Sequence, residues 1–159
     1  MKTAIDTNIL LDILIPNQTF LENSLQKLEK VTESGEIIIC EIVYAELASQ
    51  FKKRTDLQKF LNETKISVYW SNEDVLYEAS RSWREYLEKL QKTGMHTKNC
   101  PECESIIEIQ CPVCKADLLY PHRVLNDFII GAHAKIIADQ FLTRDRGFYR
   151  NYFTGLRIV

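Results

Sequence analysis

Two groups of residues in this chain have types and spacings that do chemistry. Cys100-Pro-Glu-Cys103 and Cys111-Pro-Val-Cys114 form two CPxC pairs with seven residues between them. Each CxxC turn aims two thiolates at one ion, and four thiolates complete a tetrahedral shell. Zn²⁺ is the first choice of ion, with iron in a rubredoxin-like site as the alternative. A redox pair is the competing use, and the repetition of CPxC argues against it. A Cys₄ shell leaves no open position for substrate, so its work is folding, docking or partner contact. The second group is four carboxylates, Asp6, Glu46, Asp127 and Asp145. Gathered in one crevice they would repel one another, and a hard divalent cation such as Mg²⁺ or Mn²⁺ resolves that repulsion through oxygen ligation. One or two such ions can activate water and stabilise a leaving oxygen in phosphodiester cleavage.

Each carboxylate also has an ordinary structural use. Asp6 follows a short apolar run and could cap the helix that starts at Thr7 or Asn8. Glu46, in EIVYAELASQF, falls between Ile42 and Val43 on a helical wheel, inside the apolar arc, from which it could snorkel to water. Asp127 begins or caps NDFIIGAHAKIIA and shares a helix face with Gly131, Ala134 and Ala138, a small apolar face suited to close packing on a sheet. Asp145 follows FLT and suits a turn or cap. Their conjunction is harder to dismiss than any one of them.

The elements that position them alternate between short β-type runs and helices. Strands are expected at Thr3 to Ile5, Ile37 to Cys40, Ile66 to Trp70, Phe141 to Thr143, and near Leu156 to Val159. Helical spacing is expected around Ile9 to Leu14, Phe20 to Thr32, Glu41 to Lys52, Asp56 to Glu63, from Asp74 to about Gln91, and over VLNDFIIGAHAKIIA. Strands separated by helices imply parallel pairing with helices on both faces. The functional crevice of such a sheet lies beyond the carboxyl ends of its strands. Residues 92–123 have another texture, holding three of the four prolines, four of the five cysteines and two of the three histidines. Within them SIIEIQ can supply one short strand and a turn, making a miniature ribbon. His96 and His122 flank it as surface or outer residues, and Cys40 reads as a core thiol.

IDTNILLD, VYAEL, NDFIIGAHA and LTRDRGFYRNYF together resemble a PIN-domain ribonuclease, with Asp, Glu, Asp and Asp in that family's order. The resemblance covers 1–91 and 124–159, with 92–123 as an inserted zinc-ribbon segment. It implies an α/β fold, a three-layer α/β/α sandwich with a short parallel sheet, and Mg²⁺- or Mn²⁺-dependent cleavage of RNA. Carried over by position, Asp6, Glu46 and Asp127 resemble metal ligands, and Asp145 resembles the fourth acid, which supports a second metal or orients water. Asn8 and Thr143 resemble polar residues bracing the cluster. Asp12 is left out, lying about two turns down a helix. The compact length is most similar to VapC-type toxins of bacteria and archaea, which cleave structured RNA, are silenced by an antitoxin and usually form homodimers. The insertion departs from the commonest of these. The alternatives are a PIN nuclease of ribosomal RNA processing or RNA quality control, which can carry a zinc ribbon though typically as a following module, and a non-catalytic zinc-stabilised module that binds RNA or protein. The intact acidic quartet speaks against the last of these.

Composition bounds these readings. The chain has 159 residues, 45% of them hydrophobic and 26% charged, enough for one domain with its own core. Lys+Arg total 20 and Asp+Glu 22, a net charge of -2, which excludes a polybasic DNA-coating protein and a disordered acidic tail. A local basic rim remains compatible with that balance. Lys98, Arg123, Arg144, Arg146 and Arg150 are candidate RNA-backbone contacts, with an ordinary solvated surface charge the stronger reading of each. No apolar run approaches the ~20 residues that cross a bilayer. Asp6 and Asp12 interrupt the apolar N-terminal stretch, no small-residue cleavage site follows, and a clustered set of cysteines suits a reducing compartment. A cytoplasmic protein is expected.

Overall fold

The computed structural model describes all residues except 17, 94–96, 100, 101, 104, 109 and 117–122, and the side chains of 93, 97–99 and 108. The chain opens with β1 (Lys2–Ile5), α1 (Thr7–Leu14), α2 (Leu21–Ser34) and β2 (Glu36–Ile39). Next come α3 (Glu41–Ala48), α4 (Arg54–Glu63), β3 (Ile66–Val68) and the long α5 (Glu73–Thr93). A small hairpin, β4 (Thr97–Asn99) and β5 (Ile106–Glu108), precedes α6 (Leu125–Ile137), β6 (Gln140–Leu142) and α7 (Arg146–Tyr152). The four-stranded sheet has the order β3-β2-β1-β6 and is parallel throughout.

Burial explains why these short runs are strands. Ile37, Ile38 and Ile39 are all buried, and neighbours along a strand point to opposite faces. Both faces of the sheet are therefore covered, as parallel sheets require. The core closes with an aromatic cluster in which Phe128 of α6 meets Trp83 and Tyr86 of α5, Phe148 and Tyr152 of α7, and Phe153. Edge-to-face pairs of this kind add about 0.5–1.5 kcal/mol each beyond their buried area.

The expected elements form, with differences: β3 stops at Val68 rather than Trp70, and α7 occupies a segment given no element from the sequence. The third helix stops at Ala48, short of Lys52. The last expected strand is reduced to a single parallel bridge between Phe141 and Ile158. The small face of α6 meets an aromatic ring as well as the sheet: a Cβ on Gly131 would stand 2.3 Å from Phe153 Cε2, so only glycine fits there. Gly35, at φ +155°, ends α2 against the chain start, where a Cβ would fall 2.0 Å from the Met1 carbonyl oxygen. Residues 106–108 supply the strand expected from SIIEIQ, paired antiparallel with β4 in a sheet of its own.

Candidate functional site

The chain runs from β1 outward to β2 and β3, and later returns to β6 on the other side of β1. The strand order therefore reverses between β1 and β6, and a crevice opens beyond their carboxyl ends. Ile5 pairs with Leu142, so Asp6 and Thr143 leave the sheet side by side. The Asp6 N–H continues the ladder by donating to the Leu142 carbonyl at 3.0 Å.

Asp6 occupies the N-cap position of α1, yet its carboxylate makes no cap hydrogen bond there. Instead Oδ2 accepts from the Thr143 hydroxyl at 2.6 Å and from the Asn8 amide at 2.6 Å. Asn8 also reaches Thr143 Oγ1, and its own oxygen accepts from the Arg144 N–H at 3.2 Å. Asn8 and Thr143 thus both donate to the Asp6 carboxylate. Burial pushes the Asp6 carboxyl up to about 6, and the charges of Asp127 and Glu46 push the same way against the Thr143 hydrogen bond.

Glu46 reaches the same region from α3, half buried, and a carboxylate oxygen accepts from the Thr7 hydroxyl. Asp127 stands in the first turn of α6 and reaches back to the Val124 N–H at 3.3 Å. Its carboxyl is raised by burial and by Asp145, against the Val124 bond and Arg123. Asp145 does act as a cap, accepting from the Phe148 N–H at 3.4 Å, and it pairs with the Arg123 guanidinium. Arg123 also lies over the Phe148 ring, 4.5 Å from its centroid. It is thereby engaged with the acidic group rather than freely solvated.

The four acids are thus electrostatic neighbours, each with an oxygen already held by a protein donor. Among the described residues no three Asp, Glu, His or Cys side chains converge on a common ligating point. Carboxylate oxygens that are neighbours in charge, one of them raised chiefly by burial and further by the others, are the donor type a hard divalent cation takes.

Three contributors escape sequence reasoning. Thr7 holds Glu46. Asp12, only 4% exposed, accepts from Ser24 of α2 at 2.6 Å and from Arg144 Nε at 2.9 Å, tying α1, α2 and the segment after β6 together. Its interruption of an apolar run was the available signal. Tyr149 is buried beside Asp6, Asp127 and Asp145, and burial and those charges raise its hydroxyl far above the ordinary value, so it stays protonated. Nothing in RDRGFYRNYF marked it.

Of the remaining candidates, Arg144, Arg146 and Arg150 are exposed. The Lys98 side chain, Cys100, His96 and His122 lie outside the described residues. Cys40 is a core thiol, with its pKa pushed up to about 11 by burial. The Cys111 thiol is held below its ordinary value by the backbone N–H groups of Cys114 and Val113, with the Cys114 thiol adjacent. The turn closes through the Lys115 N–H on the Cys111 carbonyl at 2.9 Å, with Lys115 at φ +61°.

A parallel sheet covered on both faces, with its strand order reversing beside β1, defines an α/β protein of the open-sheet kind. The chain belongs to the PIN domain family, which matches it over residues 3–154. No curated protein matches it. Among solved structures it is similar to a chain of VapBC2 from Rickettsia felis, crystallised bound to a DNA fragment from their promoter. That likeness has a TM-score of 0.54 and 18% identity, and covers 100% of this chain and 98% of the other. Among the described residues no helix is long and apolar enough to cross a membrane.

Proposed function

We propose that the chain is a metal-dependent ribonuclease that hydrolyses RNA phosphodiester bonds at the β1–β6 edge. The observation that carries this reading is the crowding of Asp6, Glu46, Asp127 and Asp145, with Asp6 buried and raised to about 6. Asp6, Glu46, Asp127 and Asp145 would hold Mg²⁺ or Mn²⁺, which when bound supplies water activation and charge neutralisation at the scissile phosphate. Asn8 and Thr143 fix the Asp6 carboxylate, and Thr7 fixes Glu46. Tyr149 excludes water beneath them and remains a neutral phenol. The test is cleavage of RNA by purified protein with Mn²⁺. Wild type should cut, and Asp6→Asn and Asp127→Asn should each lose the activity; equal cleavage by all three would refute the assignment.

The likeness to VapBC2 supports a toxin's place in a toxin–antitoxin pair, with an antitoxin partner; a homodimer in the cytoplasm is what the sequence resemblance adds to that reading. A second reading, RNA processing or quality control, draws on the cysteine segment. In that reading residues 92–123 would be an inserted unit whose Cys100, Cys103, Cys111 and Cys114 would hold one Zn²⁺. The lowered Cys111 thiol, with two N–H groups aimed at its sulfur, has the chemistry of a thiolate ligand. When bound, the metal would stabilise the insertion, its closed shell leaving it no part in hydrolysis.

A further inference from the structure

We propose that the groove between α2 and the β6–α7 connection is a phosphate subsite for the RNA strand, with Lys27 and Arg146 as its cations and Phe20 as a stacking surface. This rests on the nuclease reading and adds a site outside the acidic cluster.

A cavity of about 390 Å³ is lined by Phe20, Ser24, Lys27, Arg144 and Arg146, among others. A second, of about 380 Å³, shares Lys27 and Arg146 with it and adds Lys30 and Arg157. The two form one trough along the β6 edge of the sheet. Among the described residues no Asp or Glu side chain lines either. The helix α2 is sorted by charge to suit this. Lys27 and Lys30 face the trough, whereas Glu29 and Glu33 line a separate cavity. On a chain of net charge -2 this is a local concentration of positive charge.

The cations differ in what holds them. Arg144 is neutralised by buried Asp12. Lys27 and Arg146 have no ion pair among the described residues. They are close enough that burial and the Arg146 charge lower the Lys27 ammonium. Two like charges lining the same cavity without a counter-ion form a site that an anion relieves. Arg144 lies 4.1 Å from the centroid of the Phe20 ring, which is 37% exposed. An exposed ring with a guanidinium against it is a surface on which bases stack.

The trough also starts at the acidic cluster. Arg144 follows Thr143, the donor to Asp6, and its N–H donates to Asn8. A strand with one phosphate at the acids would lay its neighbours past Arg144 onto Lys27 and Arg146. Continuity with the cluster and the aromatic wall favour a nucleic-acid strand over an acidic peptide.

The test is fluorescence anisotropy of a fluorescein-labelled, mixed-sequence 12-nucleotide single-stranded RNA in EDTA, across a salt series, with the full chain. Each phosphate neutralised on a single strand contributes about 0.7 to the slope of log affinity against log salt. Lys27→Gln/Arg146→Gln should lower that slope by about 1.4 and weaken binding about tenfold at low salt. Mn²⁺ binding by calorimetry should be retained, and Lys52→Gln/Arg54→Gln, whose cations line neither cavity, should bind RNA as wild type does. The charge-conserving Lys27→Arg/Arg146→Lys should keep the slope. An unchanged slope in the first variant overturns the proposal, as does an equal loss in the Lys52/Arg54 pair. Displacement of RNA by a polyglutamate peptide more readily than by unlabelled RNA overturns it in favour of an acidic protein partner. The two readings fail separately. RNA bound with full slope but never cut defeats the nuclease and leaves the groove. Equal kcat/KM for wild type and the groove variant defeats the groove and leaves the nuclease.

Discussion

Asp6→Asn is expected to stabilise the metal-free protein while removing its response to divalent cations. Asp6 is 6% exposed, and its carboxyl rises from 3.8 to about 6. An acid raised in the fold binds its proton more readily folded than unfolded. The penalty for ionising it is absent below pH 3.8, grows from there to about pH 6, and is complete above that. Each pH unit of that rise is worth about 1.4 kcal/mol, so ionised Asp6 costs the metal-free fold about 3 kcal/mol. Asparagine can keep the Thr143 and Asn8 donors on its oxygen but turns an amide toward the Thr7 N–H, which costs about 1 kcal/mol. The net gain at pH 7.5 is about 2 kcal/mol, or roughly 4–8 °C in Tm for a chain of this size. The assay is thermal melting of both proteins in EDTA from pH 4 to 8, repeated with Mn²⁺. The gap should close as pH falls toward 4. Asp127 stays raised in both proteins by its own burial and by Asp145. Mn²⁺ at a hundredfold excess over its Kd should stabilise wild type by about 2.7 kcal/mol and the variant hardly at all. A variant less stable than wild type at pH 7.5, by the same margin as at pH 4, would refute the reasoning.

Further outcomes follow from individual contacts. Asp12→Ala removes the shared acceptor of Ser24 and Arg144 and should cost about 2 kcal/mol by urea unfolding while leaving Mn²⁺ affinity intact, since Asp12 serves the helices rather than the cluster. Gly131→Ala should cost about 2 kcal/mol in the same assay, because Phe153, 1% exposed, has nowhere to move from a Cβ 2.3 Å away. Purified wild type should carry one zinc per chain by elemental analysis, and Cys111→Ser should lose it while retaining cleavage by the acidic site; full zinc content in the variant would remove Cys111 from the ligand set.

The acids stood out in sequence because local pattern marks their places. Asp6 follows the β1 run, Asp145 follows the β6 run, and Glu46 breaks an apolar helix arc. Periodicities of 2 and 3.6 are properties of neighbours in sequence, and they also placed the helices and the parallel strands. Their limits are seen at the ends: Leu156 to Val159 has a strand's composition but finds one bridge, since pairing depends on what lies alongside.

What only the tertiary structure decided is which partner each group meets. Asp6 stands where a cap would, yet turns to Thr143, 137 residues away. Asp145 keeps both uses, capping α7 and pairing with Arg123. Asp12, two turns from the cluster on its helix, is drawn inward by Ser24 and Arg144. The charges of α2 acquire a meaning only when α7 brings Arg146 beside Lys27. The type and spacing of the acids and the alternation of elements belong to the sequence by itself, because local sterics and burial periodicity set them. Partners, burial and trough belong to the packed chain, because energies of charge depend on distance through space and on the water excluded between groups.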